Sequence, residues 1–281
     1  MVITQLFGGL GNQMFQYAIA KSLSIYKNVP VKIDHINLAL IRQEYALDIF
    51  DADFTLLKNG ELHQLQILIE KNKLLLVQEA KNKEFQYDTT IFDLPYNSIY
   101  LAGYWQNEKY FSNIVDTIKK DFSFKKNTNK NHQLLLEEIE SCNSVAVHIR
   151  RGDYAQNATI NKIFGLCSLE YYRKTAEFIA AKVPKAKFFV FVFDQNFEWI
   201  KNYFYFPYQF TIVDINESKN YKYDLQLMSA CKHQIIANST FGWWAAWLNP
   251  NRQKIICAPQ KWMQTDDKNT SDLIPENWYR F

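Results

Sequence analysis

The residues of this sequence best suited to chemistry follow directly on an apolar segment, Val145–Ile149. Arg150 and Arg151 are adjacent there, and they indicate an anionic ligand because a guanidinium group offers a planar fork of donors that matches phosphate. Side chains alternate between the two faces of a strand, so His148 and Arg150 should share one face and Arg151 should lie on the other. We therefore expect Arg150 to bind the anion. The alternative is a strand-end ion pair between Arg151 and Asp153.

Polar side chains also follow two other predicted strands. Asp194 ends the apolar segment 188–193, and Ser239 and Thr240 lie between the apolar segment 235–237 and a predicted helix. Hydroxyl groups at that position can cap the helix or donate to a phosphate at its positive end, and both uses stay open. Ligands of open α/β sheets bind at the carboxyl ends of the strands, where arginine, hydroxyls and a helix terminus should converge. This convergence predicts a nucleotide diphosphate site.

A glycine-rich segment, Gly8–Gln13, joins the first predicted strand to a helical pattern. Such a turn brings backbone amides and a helix N-terminus close to an anion or a sugar oxygen, although many such turns are purely structural. The glycine spacing differs from the G-x-G-x-x-G pattern of dinucleotide-binding folds. Within this segment we single out Asn12 as the side chain able to take part in chemistry.

The elements that must position these residues alternate between strands and helices along both halves of the chain, which predicts an α/β protein. A polar run at 125–132 interrupts the alternation and predicts a linker, so we expect two domains, 1–132 and 133–281. Apolar runs and three- and four-residue periodicities locate the individual elements. Strands are predicted near 1–7, 31–34, 74–77, 98–104, 145–149, 188–193, 235–237 and 255–258, and helices near 14–25, 62–70, 110–118, 134–140, 168–183, 223–232 and 241–248, with a loop of about a dozen residues before Ser168.

Composition limits the classes of function. The 281 residues carry a net charge of +3, which argues against a nucleic acid or an acidic polymer as the main partner. A hydrophobic content of 48% predicts a large core. The N-terminus lacks the basic segment of a signal peptide and no apolar run reaches membrane-spanning length, so we expect a cytoplasmic protein. The cysteines lack zinc-ligand spacing and are interpreted as reduced thiols: Cys142, Cys167, Cys231 and Cys257.

Three segments of the sequence carry a specific resemblance. Residues 8–18 read GGLGNQMFQYA, residues 148–154 read HIRRGDY, and residues 231–248 read CKHQIIANSTFGWWAAWL. Together and in this order they closely resemble the bacterial α-1,2-fucosyltransferases of glycosyltransferase family 11, and the match spans nearly the whole chain. The H-x-R-R-x-D motif alone is shared more widely, with α-1,6- and protein O-fucosyltransferases.

This resemblance implies a GT-B architecture, in which two Rossmann-like domains turn their parallel sheets toward a central cleft. The C-terminal domain would hold GDP-β-L-fucose, and the N-terminal domain would shape the acceptor side. The implied reaction is an inverting transfer of L-fucose to the 2-hydroxyl of a terminal β-galactoside, in carbohydrate or lipopolysaccharide biosynthesis. A lipid-linked acceptor would bring the protein to the inner face of the membrane. Two alternatives stay open: another sugar-nucleotide-dependent glycosyltransferase, and a non-catalytic protein that binds a GDP-sugar.

By position, the resemblance assigns roles to residues of the second half. Arg150 corresponds to the arginine that holds the donor β-phosphate, and His148 to a residue beside the guanine. Asp224 stands where related fucosyltransferases carry a carboxylate that pairs with the guanine ring, and Ser239 and Thr240 correspond to phosphate-contacting hydroxyls. Negative charge grows on the β-phosphate as fucose leaves, so a fixed cation there favours the transition state over the ground state. We therefore expect Arg150 to be catalytic.

The resemblance also involves the glycine-rich segment. Asn12 corresponds to an asparagine near the scissile bond, which makes it a second catalytic candidate, and Gly11 is expected to bind the donor. The sequence departs from the family pattern at Gln195, where a second acidic residue commonly follows Asp194, and at Gly242, where serine is common. The first departure leaves the role of Asp194 open.

The predicted reaction needs no metal cofactor. Asp51 and Asp53 fit the D-x-D pattern that holds a divalent metal in many GT-A enzymes, but they lie in the N-terminal half, away from the phosphate edge, so we interpret the match as chance. The acceptor hydroxyl needs a proton acceptor, for which Asp194, Glu44 and Asp153 are equal candidates. A loose displacement would need little help from a base.

Aromatic residues offer candidates for the acceptor side. Tyr104, Trp105 and Gln106 follow an N-terminal strand and are expected, together with Asp194, to contact the acceptor sugar. The tryptophans of segment 243–247 begin a helix between two strands. We expect them to pack against the sheet, and a sugar platform is the alternative.

Overall fold

The computed structural model of the protein describes residues 1–192, 197–216, 220–265 and 268–281, apart from the side chain of Asp153. The chain divides into two compact units. The N-terminal unit comprises Met1–Lys125 and Asp267–Leu273, and the C-terminal unit comprises Lys126–Asp266 and Ile274–Phe281. The boundary therefore lies seven residues before the predicted one. Residues 125–129 of the predicted linker are irregular and connect the units, whereas residues 130–132 already belong to a helix of the C-terminal unit. Asn129 caps that helix by accepting from the amides of Asn131 and His132.

The N-terminal unit is built on a four-stranded parallel sheet with the strand order β2-β1-β4-β3. The central strand β1 is buried on both faces, as expected of a parallel sheet that helices cover. Short 3-10 turns connect several of the elements. The elements are β1 (Val2–Gln5), α1 (Leu10–Tyr26), β2 (Val31–Asp34), α2 (Glu61–Glu70), β3 (Leu75–Gln78), β4 (Ile99–Ala102) and α3 (Val115–Asp121).

Two buried glutamines of α1 fix the glycine-rich turn in front of the helix. Gln13 Nε2 donates to the carbonyls of Gly8 at 3.0 Å and Glu44 at 2.8 Å. Gln16 exchanges two hydrogen bonds of 3.1 Å with the backbone of Phe7. Buried amide side chains of this kind satisfy backbone groups that a tight turn leaves without partners. The side chains of Gln13 and Gln16 therefore fix the backbone of the turn.

The C-terminal unit is built on a six-stranded parallel sheet with the order β10-β9-β8-β5-β6-β7. The helix Leu169–Ala180 packs one face against the strands, and the helix Thr240–Leu248 is buried along most of its length. The elements are α4 (Lys130–Ser141), β5 (Ser144–Ile149), α5 (Gly152–Gln156), α6 (Ala158–Phe164), α7 (Leu169–Ala180), β6 (Lys187–Val192), α8 (Phe197–Tyr203), β7 (Phe210–Val213), α9 (Asp224–Ala230), β8 (His233–Ile235), α10 (Thr240–Leu248), β9 (Ile256–Ala258) and β10 (Tyr279–Arg280).

Strand β5 is the centre of the second core, and all six of its residues are buried. Val145, Val147 and Ile149 pack on one face against apolar residues of α7, among them Tyr172. His148 therefore lies on the opposite face, as strand alternation predicts. The parallel ladders that β5 forms with β6 and β8 fix the position of the charged segment that follows it.

Several predicted elements have different bounds or a different form. The predicted loop before Ser168 contains two helices, α5 and α6, and Asn157 caps the second by accepting from two backbone amides. The helix predicted at 110–118 is a pair of 3-10 turns followed by α3. Strands β7 and β10 and helix α8 were not predicted. Within the described residues, no helix is both long enough and apolar enough to cross a membrane.

Candidate active site

The predicted phosphate-binding residues emerge at one edge of the C-terminal sheet. Strands β5 and β8 are parallel neighbours, with Val147 paired to Ile235. The carboxyl end of β5 continues into Arg150, and the carboxyl end of β8 continues into Ser239 and helix α10. The convergence of these segments, predicted from the alternation of strands and helices, is therefore present in the fold.

The two arginines lie in different surroundings. The Arg150 guanidinium lies 5.0 Å from the centre of the Tyr154 ring and close enough to His148 to act on its charge. The Arg151 guanidinium lies 3.9 Å from the centre of the Trp199 ring, on the face of β5 that packs against α7 and α8. The structure thus separates the arginines as strand alternation predicts. The partner described for Arg151 is an aromatic ring, and its predicted pairing with Asp153 involves a side chain outside the described set.

His148 lies beneath the first turn of α10. Its ring is 1% exposed and 6.0 Å from the ring of Phe241. Burial, together with the nearby charge of Arg150, lowers the pKa of His148 to about 3, so the ring is neutral at working pH. Gly242 makes this approach possible, because a Cβ atom at that position would lie 2.6 Å from His148 Nδ1. A larger residue at position 242 would therefore require the His148 ring to shift.

Asn238, which was not predicted as a site residue, joins three segments at the same edge. Its buried side-chain amide donates to the carbonyls of Phe164 at 2.8 Å and Trp262 at 3.1 Å. Its backbone carbonyl accepts from the Tyr154 hydroxyl at 3.4 Å. Since Tyr154 lies under the Arg150 guanidinium, Asn238 indirectly sets the position of that guanidinium. Tyr154 and Asn238 both lie in the segments that carry the family resemblance, and no other feature of the sequence indicated their roles.

The hydroxyl residues occupy the start of α10. Ser239 stands at the N-cap position in an extended conformation, and its side chain makes no capping hydrogen bond. Thr240 is the first residue of the helix, and both side chains are half-buried. The purely structural alternative for Ser239, capping of α10, is therefore not realised. Its hydroxyl is free of that role and lies where an anion would meet the helix terminus.

Asp224 is the first residue of α9 and belongs to a polar cluster. It accepts a hydrogen bond of 2.5 Å from the Nδ2 atom of buried Asn216, whose side chain also reaches His132. His132 lies on α4 and contacts Gln226 at 3.1 Å. Burial raises the pKa of Asp224 to about 7, against the opposing effect of the Asn216 hydrogen bond. A carboxyl group held half-ionised near neutral pH is available for a ligand that supplies further donors.

The tryptophans of α10 form part of the core, as predicted. Trp243 and Trp244 are fully buried, and Trp247 is 8% exposed. Their rings contact one another, and the Trp243 ring lies 5.5 Å from that of Trp278. A sugar platform needs an exposed ring face, so these residues do not provide one. They make α10 a rigid support for the hydroxyl residues at its start.

In the N-terminal unit, Asn12 is held between two neighbours. Its Oδ1 atom accepts from Gln106 Nε2 at 2.9 Å, and it packs against Gly8, where a Cβ atom would lie 2.2 Å from Asn12 Nδ2. Gly8 has a φ of +80°, so both backbone conformation and space favour glycine there. Gly11 is buried within the first turn of α1. Gln106 thus supports Asn12 directly, a contact that the sequence did not indicate.

Two further acceptor candidates, Tyr104 and Trp105, differ in exposure. Tyr104 is 38% exposed, whereas the ring of Trp105 is 3% exposed and cannot offer a stacking face. Glu79, which the sequence analysis missed, accepts hydrogen bonds from the backbone amides of both residues. Burial raises the pKa of Glu79 to about 7, and these two amides oppose the shift. The acceptor hypothesis for this segment therefore depends on Tyr104 and on the carboxyl group beneath it.

The candidate bases and the two aspartates of the D-x-D match are either exposed or outside the described residues. Asp194 lies outside the described residues, and the side chain of Asp153 does also. Glu44 is exposed, and Asp51 and Asp53 are exposed in the N-terminal unit. Among the described residues, no group of three or more histidine, cysteine, aspartate or glutamate side chains is arranged to hold a metal ion.

The sequence matches known proteins over nearly its whole length. The model of Glycosyl transferase family 11 covers residues 1–280. The chain belongs to this family. This family 11 glycosyltransferase is 34% identical to an Escherichia coli α-1,2-colitosyltransferase, over 100% of the chain and 98% of the relative. It is 29% identical to the Escherichia coli O-antigen biosynthesis glycosyltransferase WbnK, over 97% of the chain and 98% of the relative.

Solved structures confirm the fold class. The family 11 protein matches the fucosyltransferase NodZ from Bradyrhizobium with a TM-score of 0.54 and 15% identity, over 89% of this chain and 92% of NodZ. It matches an Arabidopsis thaliana FUT1 variant in complex with GDP with a TM-score of 0.53 and 11% identity, over 98% of this chain and 74% of FUT1. At these identities the likeness shows the GT-B fold alone.

Proposed function

We propose that this family 11 glycosyltransferase is an inverting, metal-independent galactoside 2-α-L-fucosyltransferase whose donor is GDP-β-L-fucose. The observation that carries the proposal is the arrangement of Arg150, the start of α10 and the carboxyl group of Asp224 in one unit. A guanine nucleotide diphosphate needs a cation and amide or hydroxyl donors for its phosphates, and an acceptor for the donors on its base edge. The three features supply these needs.

In the proposed reaction, Arg150 acts on the leaving group. As the bond between fucose and the β-phosphate breaks, negative charge grows on the phosphate oxygens, and the guanidinium fork stabilises that charge. Tyr154 holds the guanidinium from one side and is itself fixed by Asn238, so little reorganisation is needed when the charge develops. Ser239 and Thr240 add hydroxyl donors at the start of α10. The diphosphate is thereby bound without a metal ion.

The base and the acceptor would be bound by other residues of the two units. Asp224, when ionised, accepts hydrogen bonds from the N1–H and 2-amino groups of guanine, and neutral His148 supports this pocket from below α10. Asn12, oriented by Gln106, is the proposed contact to the transferred sugar. The acceptor would be a terminal β-galactoside whose 2-hydroxyl attacks the anomeric carbon.

A second donor is favoured by a specific observation, because the relative with 34% identity is named a colitosyltransferase. Colitose is L-fucose without the 3-hydroxyl group, so GDP-colitose would use the same phosphate and guanine contacts. The two donors differ only at the 3-position of the sugar, so the pocket that receives this position would distinguish them. A protein that binds GDP-sugars without catalysis would keep the donor contacts and lack turnover.

Release of GDP in the presence of a β-galactoside tests these proposals. We expect turnover with GDP-L-fucose and a product in which NMR shows an α-1,2 linkage to galactose. Turnover with GDP-colitose only would replace fucose by colitose, and turnover with neither donor, despite GDP binding, would contradict a catalytic role. A linkage to another hydroxyl would overturn the regiochemistry and leave the donor assignment intact.

A further inference from the structure

A cavity of about 580 Å³ opens at the carboxyl edge of the N-terminal sheet. Its walls come from the ends of β1, β3 and β4, and the residues that carry the argument are Gln5, Phe7, Glu79, Glu84 and Tyr104. The cavity lies wholly within the N-terminal unit, whereas Arg150, Asp224 and Ser239 belong to the C-terminal unit. Its size falls in the range of pockets that enclose small ligands, about 300–1,000 Å³.

The backbone beside the cavity is built around the carboxyl group of Glu79. The Tyr104 amide donates to Glu79 Oε2 at 2.6 Å, and the Trp105 amide is shared between Oε1 at 3.1 Å and Oε2 at 3.2 Å. Gly103 lets the chain come this close, since a Cβ atom there would lie 2.4 Å from Glu79 Cβ. Trp105 turns back in the left-handed region, with a φ of +55°, and buries its ring. The turn thus leaves Tyr104 exposed above a fixed carboxyl group.

We propose that this cavity is a binding site for a neutral carbohydrate, in which Glu79 accepts hydrogen bonds from sugar hydroxyls and Tyr104 and Phe7 contact the apolar face of the ring. The site deepens the proposed function, on which it rests, because the acceptor galactoside would be its ligand. Tyr104 is a specificity residue in this assignment, and Glu79 both orients the turn and contacts the sugar.

The chemistry of the lining supports a neutral, hydroxylated ligand. A carboxylate offers about four acceptor positions, and two backbone amides do not saturate them. The aromatic pair forms one wall, with the ring centres of Phe7 and Tyr104 4.6 Å apart at an interplanar angle of 70°. An apolar wall with a few fixed polar groups is the usual composition of a small-molecule pocket.

The charges around the cavity are close to balanced, which suits a neutral ligand, because the exposed Lys81 lines it together with Glu79 and Glu84. Glu84 forms an ion pair of 2.9 Å with Lys268, whose Nζ also donates to the Lys81 carbonyl. The charge of Glu84, which lines the cavity, is therefore compensated by Lys268. Burial raises the pKa of the Tyr104 phenol, and the charges of Glu84 and Glu79 raise it further, so its hydroxyl stays protonated and can donate to a sugar oxygen.

The test combines direct binding with kinetics on the full chain. Saturation-transfer NMR with methyl β-D-galactoside at millimolar concentration measures binding without a donor, and GDP release with GDP-fucose gives the KM of the galactoside. We expect Tyr104→Ala and Glu79→Gln each to raise that KM about tenfold or more and to weaken the NMR signal, with a smaller change in kcat and with GDP affinity unchanged. Tyr104→Ala keeps both backbone amides that bind Glu79, so it tests the pocket even if Glu79→Gln loosens the turn.

Matched controls come from the same unit. Tyr96 is also 38% exposed, and Glu70 is an exposed carboxylate at the end of α2, so Tyr96→Ala and Glu70→Gln should leave binding and KM unchanged. The proposal is overturned if the wild-type protein gives no galactoside signal, or if both pocket variants keep the galactoside KM within about twofold. Galactoside binding that depends on Tyr104, in a protein that turns over no donor, would support the pocket and reject the fucosyltransferase function.

Discussion

Replacing Asp224 by asparagine should weaken donor binding at pH 8 and remove most of the pH dependence of that binding. The carboxyl group has a pKa of about 7 in the free protein because burial disfavours its charged form. Guanine presents two donors on its base edge, so in the proposed complex the carboxyl group must be ionised. Donor binding therefore includes the cost of deprotonating Asp224 at any pH below its pKa.

The size of this effect follows from the pKa and from the change of side chain. At pH 5.5, about 1.5 units below the pKa, roughly 3% of Asp224 is ionised, so GDP-fucose affinity should be about 30-fold weaker than at pH 8.5, or about 2 kcal/mol. Asp224→Asn loses a hydrogen bond to a charged group, which costs about 1.5–3 kcal/mol, or about 10- to 150-fold in affinity at pH 8. An asparagine does not titrate, so the affinity of the variant should be nearly flat with pH.

Isothermal titration with GDP-fucose, without acceptor, between pH 5.5 and 8.5 is the appropriate assay. The diphosphate of a GDP-sugar is esterified at both ends and does not titrate in this range, so the slope reports on the protein. Asp214→Asn is the control, because Asp214 is exposed just after β7. A flat profile for the wild-type protein, or a profile that keeps its slope in Asp224→Asn, would refute the reasoning. The second result would point to His132, the other titratable member of the cluster.

The same substitution, Asp224→Asn, should weaken donor binding but increase the stability of the folded protein. A carboxyl group whose pKa is higher in the folded than in the unfolded protein makes the folded state bind more protons between about pH 4 and pH 7. The free energy of unfolding therefore falls as the pH rises through that window. Asp224→Asn removes the buried charge, so its Tm should exceed that of the wild type at pH 8 and approach it at pH 5. A gain in protein stability on removal of the Asp224 carboxyl group is expected if that group serves ligand binding.

Three further outcomes are expected. Fucosyl transfer should persist in excess EDTA, and loss of activity that manganese restores would contradict the role of Arg150. Arg150→Lys should lower kcat about a hundredfold with little change in Tm, whereas Arg151→Lys, which weakens a cation–π contact of about 0.5–2 kcal/mol with Trp199, should lower Tm more than turnover. Gly242→Ala should destabilise the protein by about 1–3 kcal/mol, because its Cβ would displace the His148 ring, and an unchanged Tm would show that the ring moves freely.

Local patterns were sufficient to predict the parts of the site that lie on regular elements. The alternation of apolar and polar segments placed His148 and Arg150 at the end of a buried strand, and the apolar tryptophan segment correctly predicted a core helix. Arg150 and Arg151 lie beyond the last residue of β5, and their side chains still have the separate surroundings that continued alternation predicts. These predictions succeeded because side chains alternate along a strand with a fixed period of two, so the position of a residue determines its face.

The residues that the sequence missed act through contacts between distant segments, and no local pattern encodes them. Glu79 approaches the turn at Tyr104 only because Gly103 has no side chain and Trp105 adopts a positive φ, a conformation unusual for a bulky residue. From sequence, Trp105 therefore had the profile of an exposed stacking residue, although the turn buries its ring. Asn238 likewise reaches the carbonyls of Phe164 and Trp262 from a distant part of the chain. Since strained turns persist only where surrounding contacts hold them, the turn at Trp105 and its carboxyl group mark a position under constraint, as expected of a ligand-binding wall.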